Sequence, residues 1–291
     1  MGHDKQRIDL KKTGSSFMSN DKFSVLMSVY KDEEPAFLDK ALESIENQTV
    51  QADQIVLVED GPLPSYLDEV ISKHCENLPQ KYDVLKLPHN QGLGLALNKG
   101  VEYCRNEWIA RMDSDDISVA NRFELQLKEV VKNPQLAVVG GQIDEFSGDL
   151  DQIVGKRNVP LSNDEIRRFI KWRNPFNHPT VMINKNAVTR VGSYQANGKI
   201  EDYFLWVKLV IANYPVKNLS DVLVHMRVDA GMYDRRGSFQ NIKQVFELRK
   251  LLRKSHLINI RDQYIGDGIM MVNTLIPSKL REYIYKKTLH R

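Results

Sequence analysis

Residues 108–116 read WIARMDSDD: a five-residue run with the apolar weight of a buried strand, ending in three carboxylates within four positions. The chain ahead of it repeats the first part of that pattern. Phe23–Tyr30 (FSVLMSVY), Gln54–Glu59 (QIVLVE) and Asp83–Leu87 (DVLKL) are short apolar runs with β-branched residues, as in strands covered on both faces. Between them lie predicted helices over Pro35–Asn47, Tyr66–Cys75 and Gly94–Cys104. In the first, Phe37, Leu38, Ala41, Leu42 and Ile45 fall at helical spacing, with Pro35 in the first turn. Strands alternating with helices predict βαβ units, hence a Rossmann-like α/β fold with a mostly parallel central sheet. Ligands of such sheets bind beyond the carboxyl ends of the strands. Tyr30, Asp60 and Asp113–Asp116 fall at three such ends.

Beyond Arg122 the alternation loosens. The patterning predicts helices over 123–131, 163–172 and 202–213, with strands over 137–145, 178–183 and 222–228 and an extended piece at 157–160. A helical extension of two or three helices follows over 240–291, broken at Ile276-Pro277-Ser278.

With 291 residues and 42% hydrophobic content, the chain suits one large globular domain with a small appendage. No stretch approaches the roughly 20 apolar residues of a membrane-spanning helix. Residues 1–21 read as a flexible leader; their start lacks the apolar core and cleavage site of a secretory signal. Two cysteines outside any C-x-x-C pair imply a reducing, cytoplasmic setting. The net charge of +3 hides an asymmetry: residues 240–291 hold 11 Lys/Arg against 4 Asp/Glu, and the rest of the chain is net acidic. A basic tail on an acidic body suggests contact with something anionic; a solvated helical face is the plainer account.

Several residues could carry chemistry. Asp113, Asp115 and Asp116 repel one another unless a cation sits among them, and oxygen ligands of this kind suit Mg²⁺ or Mn²⁺. The alternative is an acidic turn, with Asp116 capping the next helix. Asp60, before Gly61-Pro62, could accept hydrogen bonds from a base or ribose, or simply form the turn. Tyr30 could pack on a base or close the core. Asn90 and Gly92 lie in a loop that lets backbone approach a ligand, but it lacks the third glycine of a dinucleotide site. No phosphate-binding Gly-Lys-Ser/Thr loop is present either. Glu201 and Asp202 open a helix; they could complement its dipole, or supply a general base. His178 and His225, in predicted strands, read as wall residues. Residues 229–237, with Arg235 and Arg236, form a loop that could close over a diphosphate, or an ordinary exposed one.

Taken together, the segments LMSVYKDE (26–33), ALESIENQT (41–49), IVLVEDGPL (55–63), NQGLGLALNKG (90–100), IARMDSDDIS (109–118), RFELQL (122–127), VVGGQIDEF (138–146), RNPFNHPTVM (173–182), EDYFLW (201–206) and MRVDAGMYDRRGS (226–238) resemble a family 2 inverting glycosyltransferase with the GT-A fold. The likeness is to the amylovoran-type bacterial enzymes that build exopolysaccharide and O-antigen units. It implies a catalytic domain over 22–239, with a nucleotide-binding half (22–120) and an acceptor half (121–239). Asp113-x-Asp115 is similar to the family's metal motif, Asp115 being the stronger ligand for Mn²⁺ or Mg²⁺. The resemblance implies nucleotide-sugar contacts from Ser28, Tyr30, Asp60, Asn90, Gly92, Arg111, Asp113, Ser114, Arg227, Arg235 and Arg236. It implies Asp202 as catalytic base, with Glu201, Trp206 and His178 on the acceptor side. Two positions depart from the family pattern: Glu59-Asp60 stands where many relatives have Asp-Asp, and Ser28 where many have Pro.

The partners so implied are a UDP-sugar donor, a lipid-linked saccharide acceptor and, through the tail, an anionic membrane surface at the inner face of the cell membrane. A sugar nucleotidyltransferase would carry a Gly-rich basic loop where SVYKDEEP stands. A nucleic-acid binder would leave the strand-end acids without a purpose, and the acidic body discourages phosphate contact. An inactive scaffold is disfavoured because both the metal and the base candidates are present.

Overall fold

A computed structural model describes residues 22–228 and 242–275. The leader, the 229–241 segment with Arg235 and Arg236, and the chain from 276 onward lie outside the described residues.

The first half follows the predicted alternation: β1 (Phe23–Val29), α1 (Pro35–Glu46), β2 (Gln54–Glu59), α2 (Ser65–Asn77), β3 (Tyr82–Lys86), α3 (Leu93–Tyr103) and β4 (Trp108–Met112). These strands run parallel in the order β3-β2-β1-β4. Alternation along each strand sends side chains to two separate cores. Phe23, Val25, Met27 and Val29 of β1 join Leu38, Leu42 and Ile45 of α1 on one face. Leu26 points to the other face, with Val56 and Val58 of β2 and Leu97 of α3. Each such side chain contributes about 1.5–3 kcal/mol on burial. Gly100 of α3 is what lets that helix approach: a Cβ there would lie 2.2 Å from Leu26 Cδ1.

The second half closes the sheet in mixed directions. β5 (Ile117–Ser118) and α4 (Arg122–Lys132) precede β6 (Val138–Phe146) and β7 (Ile153–Arg157). After α5 (Asn163–Phe169) come β8 (Met182–Asn184), α6 (Lys185–Arg190), α7 (Glu201–Ile211) and β9 (Val216–Arg227). The sheet order continues β4-β8-β6-β9-β5, with β7 on β6. β8 runs antiparallel to both β4 and β6, while β9 is parallel to β6.

Four expectations for this half need correction. The strand expected over 178–183 is a 3₁₀ turn at His178–Thr180 followed by β8; Pro179 has no N–H to give a ladder. The extended piece expected at 157–160 lies earlier, as β7, and the helix expected to reach 172 ends at Phe169. β9 starts at Val216, six residues before the expected strand. β5 and α6 were not anticipated, being too short to show a period.

The extension begins with α8 (Ile242–Lys254) and α9 (Ile260–Leu275). Leu248, Leu252 and Ile258 are buried in the same core as Trp206, Val207 and Val210 of α7. The segment from 242 is therefore built into the body. No helix of the described residues is long and apolar enough to cross a membrane.

Candidate active site

Because β1, β2 and β4 are parallel neighbours, their carboxyl ends open on one side of the sheet. A cleft of about 1050 Å³ lies there, lined by Ser28, Tyr30, Asp60, Asn90, Gly92, Asp113, Ser114, Asp115 and Arg227 among others. Eight of the expected nucleotide-sugar contacts and the metal-ligand candidate Asp115 thus share one cavity.

Asp60 is nearly buried, and its carboxylate ties down the loop ahead of α3. Oδ1 accepts the Gln91 N–H at 2.7 Å and Oδ2 the Gly92 N–H at 3.0 Å. Asn90 Nδ2 donates back to the Asp60 carbonyl at 3.1 Å. Gly61 is required beside it: φ is +92°, and a Cβ would come 2.6 Å from Asn90 N. Asp60 therefore forms the expected turn and also lines the cleft.

The acidic turn after β4 divides its labour. Arg111, 2% exposed, lies beneath the cleft and grips Asp113 with both terminal nitrogens; Nη1 donates to Oδ2 at 2.6 Å and Nη2 to Oδ1. Arg111 therefore acts on the site through Asp113 and does not line the cleft. Asp115 forms no ion pair among the described residues; burial and the charges of Asp113 and Glu33 push its carboxyl up to about 7. Asp116, 1% exposed, accepts the Arg227 N–H on Oδ1 at 2.8 Å. Burial and its acidic neighbours hold it well above the usual carboxylate range. It does not cap the following helix, whose N-cap is Asn121.

Ligand atoms of Asp113, Asp115 and Asp116 all lie within 4.8 Å of one another. Asp116 Oδ2 is buried and has no hydrogen-bond partner among the described residues. An all-oxygen set with a buried, unsatisfied carboxylate oxygen fits a hard divalent cation such as Mg²⁺ or Mn²⁺.

Arg227 ends β9 against this turn. Its guanidinium lies 3.8 Å from the Phe37 ring centre and 4.6 Å from that of Phe146. Nε donates to the Asp115 carbonyl at 3.1 Å and Nη1 to the Gly148 carbonyl at 3.2 Å. It carries positive charge to the cleft wall at the edge of the 229–241 segment.

Asp202 opens α7 and is not among the residues lining this cleft. Its Oδ2 accepts from Asn174 Nδ2 at 2.6 Å and its Oδ1 from the Tyr203 N–H at 2.7 Å. Burial raises its carboxyl, and these two bonds partly offset that. Glu201 beside it is pushed up to about 7 by burial and by the Asp202 charge. Arg111 connects the two regions electrostatically, since its charge is felt by Asp115, Asp116, Glu201 and Asp202 alike.

Burial corrects one acceptor-side expectation. Trp206 is 0% exposed and packs on Phe176 at 5.2 Å between ring centres, so it offers no surface to a ligand. His178 Nε2 pairs with Tyr194 OH at 3.0 Å; burial and the Arg111 charge hold the ring well below its usual pKa. His178 is half-buried, with its ring 6.1 Å from that of Trp206. Sequence reasoning missed Glu33, Phe37 and Asn174. The available signals were the acidic loop directly after β1 for Glu33 and the RNPFNHP segment for Asn174.

Residues 24–197 match glycosyl transferase family 2. An uncharacterized glycosyltransferase of Haemophilus influenzae is 41% identical over 270 residues, spanning 93% of this chain and 100% of the relative. The amylovoran biosynthesis glycosyltransferase AmsE of Erwinia amylovora is 37% identical, over 91% of this chain and 98% of its own. The Escherichia coli UDP-Gal:alpha-D-GlcNAc-diphosphoundecaprenol beta-1,3-galactosyltransferase is 36% identical, over 94% and 99% respectively. Among solved structures, the mannosyltransferase PcManGT of Pyrobaculum calidifontis, in complex with GDP-Man and Mn²⁺, shares the GT-A fold. Its TM-score is 0.60 at 14% identity, over 90% of this chain and 79% of that one. The match across most of the chain, on a fold whose strand ends gather the expected acids, means that the chain belongs to glycosyl transferase family 2 and is a glycosyltransferase.

Proposed function

We propose that the chain transfers a hexose or N-acetylhexosamine from a UDP-sugar to a hydroxyl of a growing surface saccharide carried on polyprenyl diphosphate. The observation that carries this reading is the convergence of Asp113, Asp115 and Asp116 within 4.8 Å, beside a cleft built from the ends of parallel strands. The name of the E. coli relative gives UDP-Gal as its donor and a diphosphoundecaprenol-linked sugar as its acceptor, which supports the same class here.

Asp115, Asp116 and, through the lone pairs left on its two Arg111-bound oxygens, Asp113 would hold the divalent ion. Such an ion, when bound, supplies Lewis-acid stabilisation of charge on a leaving diphosphate. The chain's own residues do the rest. Tyr30 offers a half-exposed ring for base packing, and Asp60 keeps the 90–92 loop against the cleft. Arg227, with Arg235 and Arg236 beyond the described residues, provides positive charge for the diphosphate. Asp202 accepts the proton of the attacking hydroxyl, a role suited to a carboxyl raised above its ordinary range. One base and one displacement invert the anomeric centre, so an α-linked donor yields a β-linked product.

A screen of UDP-sugars with a polyprenyl-diphosphate saccharide tests the reading. The expected outcome is transfer from one UDP-sugar with Mn²⁺, lost in EDTA and restored by excess Mn²⁺. Full transfer in EDTA would overturn the metal requirement, and inactivity with every UDP-sugar would overturn the donor class.

A lipid-linked acceptor of this class supports a position at the cytoplasmic membrane face. Ile260, Tyr264 and Ile265 of α9 are exposed beside Arg261, and the basic stretch from Ser278 follows. Such a mixture suits an interfacial contact with anionic lipid. Flotation with anionic liposomes should lift the full chain and not a chain ending at residue 275. Cutting near 240 is unsuitable, because it removes Leu248 and Leu252 from the core. Equal flotation of both chains would count against the tail as anchor.

A further inference from the structure

The loop leaving β1 brings a fourth carboxylate to the acidic turn. β1 and β4 are parallel neighbours with Met27 opposite Met112, so the chain emerges from both strands side by side. The β1 loop turns at once, with Glu33 N–H donating to the Tyr30 carbonyl at 3.2 Å. Pro35 then starts α1, whose buried Leu38, Ala41, Leu42 and Ile45 anchor the loop's far end. Between these fixed points Glu33 reaches the cleft wall shared with Asp113 and Asp115. Its Oε2 accepts the hydroxyl of Ser114, the middle residue of the Asp113-Ser114-Asp115 turn, and its Oε1 accepts the Glu34 N–H at 3.0 Å.

This is an unfavourable place for another negative charge. Glu33 has no ion-pair partner among the described residues, and Arg111 is already engaged by Asp113. Burial raises the Glu33 carboxyl, and the Asp113 charge adds to that against the Ser114 bond. A like-charged group held among acids is favoured only when a cation joins them.

We propose that Glu33 is a positioning residue of the divalent-metal site: by holding Ser114 it orients the turn that projects Asp113 and Asp115, and its charge strengthens cation binding there. The inference rests on the metal-site part of the proposed function. Ser114 sits between two ligand candidates, so fixing its side chain fixes the turn's geometry for both neighbours. Groups that hold metal ligands in this way typically change affinity about 10–100-fold when removed.

Glu33→Gln keeps an acceptor for the Ser114 hydroxyl and loses the charge. Ser114→Ala loses the tie and keeps the charge. Glu33→Ala loses both. Mn²⁺ binding, followed by loss of the free-ion electron paramagnetic resonance signal with and without UDP, reads all three against wild type. The expected order of weakening is Glu33→Ala most, by about 10-fold or more, with Glu33→Gln and Ser114→Ala between it and wild type. Wild-type Mn²⁺ affinity in Glu33→Ala, or in Glu33→Gln should the alanine variant fail to fold, would overturn the proposal. Unchanged binding in Asp115→Asn would overturn it too, because the ion would then lie elsewhere. Sugar transfer plays no part in this readout. Glu33-dependent Mn²⁺ binding in a chain that uses no UDP-sugar would refute the donor assignment and leave the role of Glu33 standing.

Discussion

Asn174 donates through Nδ2 to Asp202 Oδ2 at 2.6 Å, while its own Oδ1 accepts the Phe176 N–H at 3.2 Å. The second bond fixes which end of the amide faces the carboxylate, because a flip would set oxygen against oxygen. Asp202 is thereby held from two sides, by Asn174 and by the first turn of its own helix.

The first prediction follows from that bond. Burial raises the Asp202 carboxyl and the Asn174 bond lowers it, so Asn174→Ala raises it further. A base must be deprotonated to act, so the acid limb of the kcat/KM pH profile moves to higher pH. A hydrogen bond to a charged group is worth about 1.5–3 kcal/mol, and the limb should move by about 1–2 pH units. Asp202→Asn should remove the limb and lower kcat about 10²–10⁴-fold. An acid limb unmoved by Asn174→Ala would mean that another group titrates there.

Arg111 is buried against the acids it serves, so its loss should be felt in stability. Arg111→Leu leaves Asp113 without its partner, beside Asp115 and Asp116. Breaking one side of a buried pair costs about 3–5 kcal/mol, and solvent reaching the part-exposed Asp113 puts the expected loss at or below the lower end of that range. Urea denaturation at neutral pH without metal checks this. Arg111→Lys should recover little, since one ammonium cannot reproduce two parallel bonds to Asp113.

Far from the cleft, His74 of α2 bridges two acids of α1. Its ring is almost fully buried, with Nδ1 2.8 Å from Glu46 and Nε2 2.8 Å from Asp39. Burial disfavours the charged ring, but the bonds to Glu46 and Asp39 outweigh it and raise the pKa above 6.5. The folded state thus binds the proton more tightly than the unfolded chain. This contribution is fully present below pH about 6.5 and is lost as pH rises through the folded value. The melting temperature of wild type should fall over that interval, and His74→Gln should flatten the dependence. A wild-type curve matching that of His74→Gln would exclude the charged bridge.

The strands and helices of residues 23–112 were legible because each carries a clear period and a clear stop. α1 is an example: Pro35 opens it, and Leu38, Ala41, Leu42 and Ile45 mark its buried face. The acids at strand ends were legible too, since Asp60 and Asp113 directly follow apolar runs. The second half was harder to read. β8 has three residues and β5 two, too few for any period, and they become strands only because β4, β6 and β9 offer partners. Trp206 was misassigned because a residue in the first turns of a helix at the site has the same sequence whether it faces the ligand or the core.

Local order along the chain is thus sufficient to establish an α/β fold, a cleft at the strand ends and the candidates Asp113, Asp115 and Asp202. Such features depend on residues a few positions apart, whose spacing sets strand, turn and helix. The partnerships depend on the sheet. Glu33 meets Ser114 across 81 positions and Asn174 meets Asp202 across 28, because strand order and helix packing bring them together. The same assembly sets the Arg111 guanidinium against Asp113 and the Arg227 N–H against Asp116. Burial and neighbouring charge then raise Asp115 to about 7, a property of the assembled site and not of the aspartate alone.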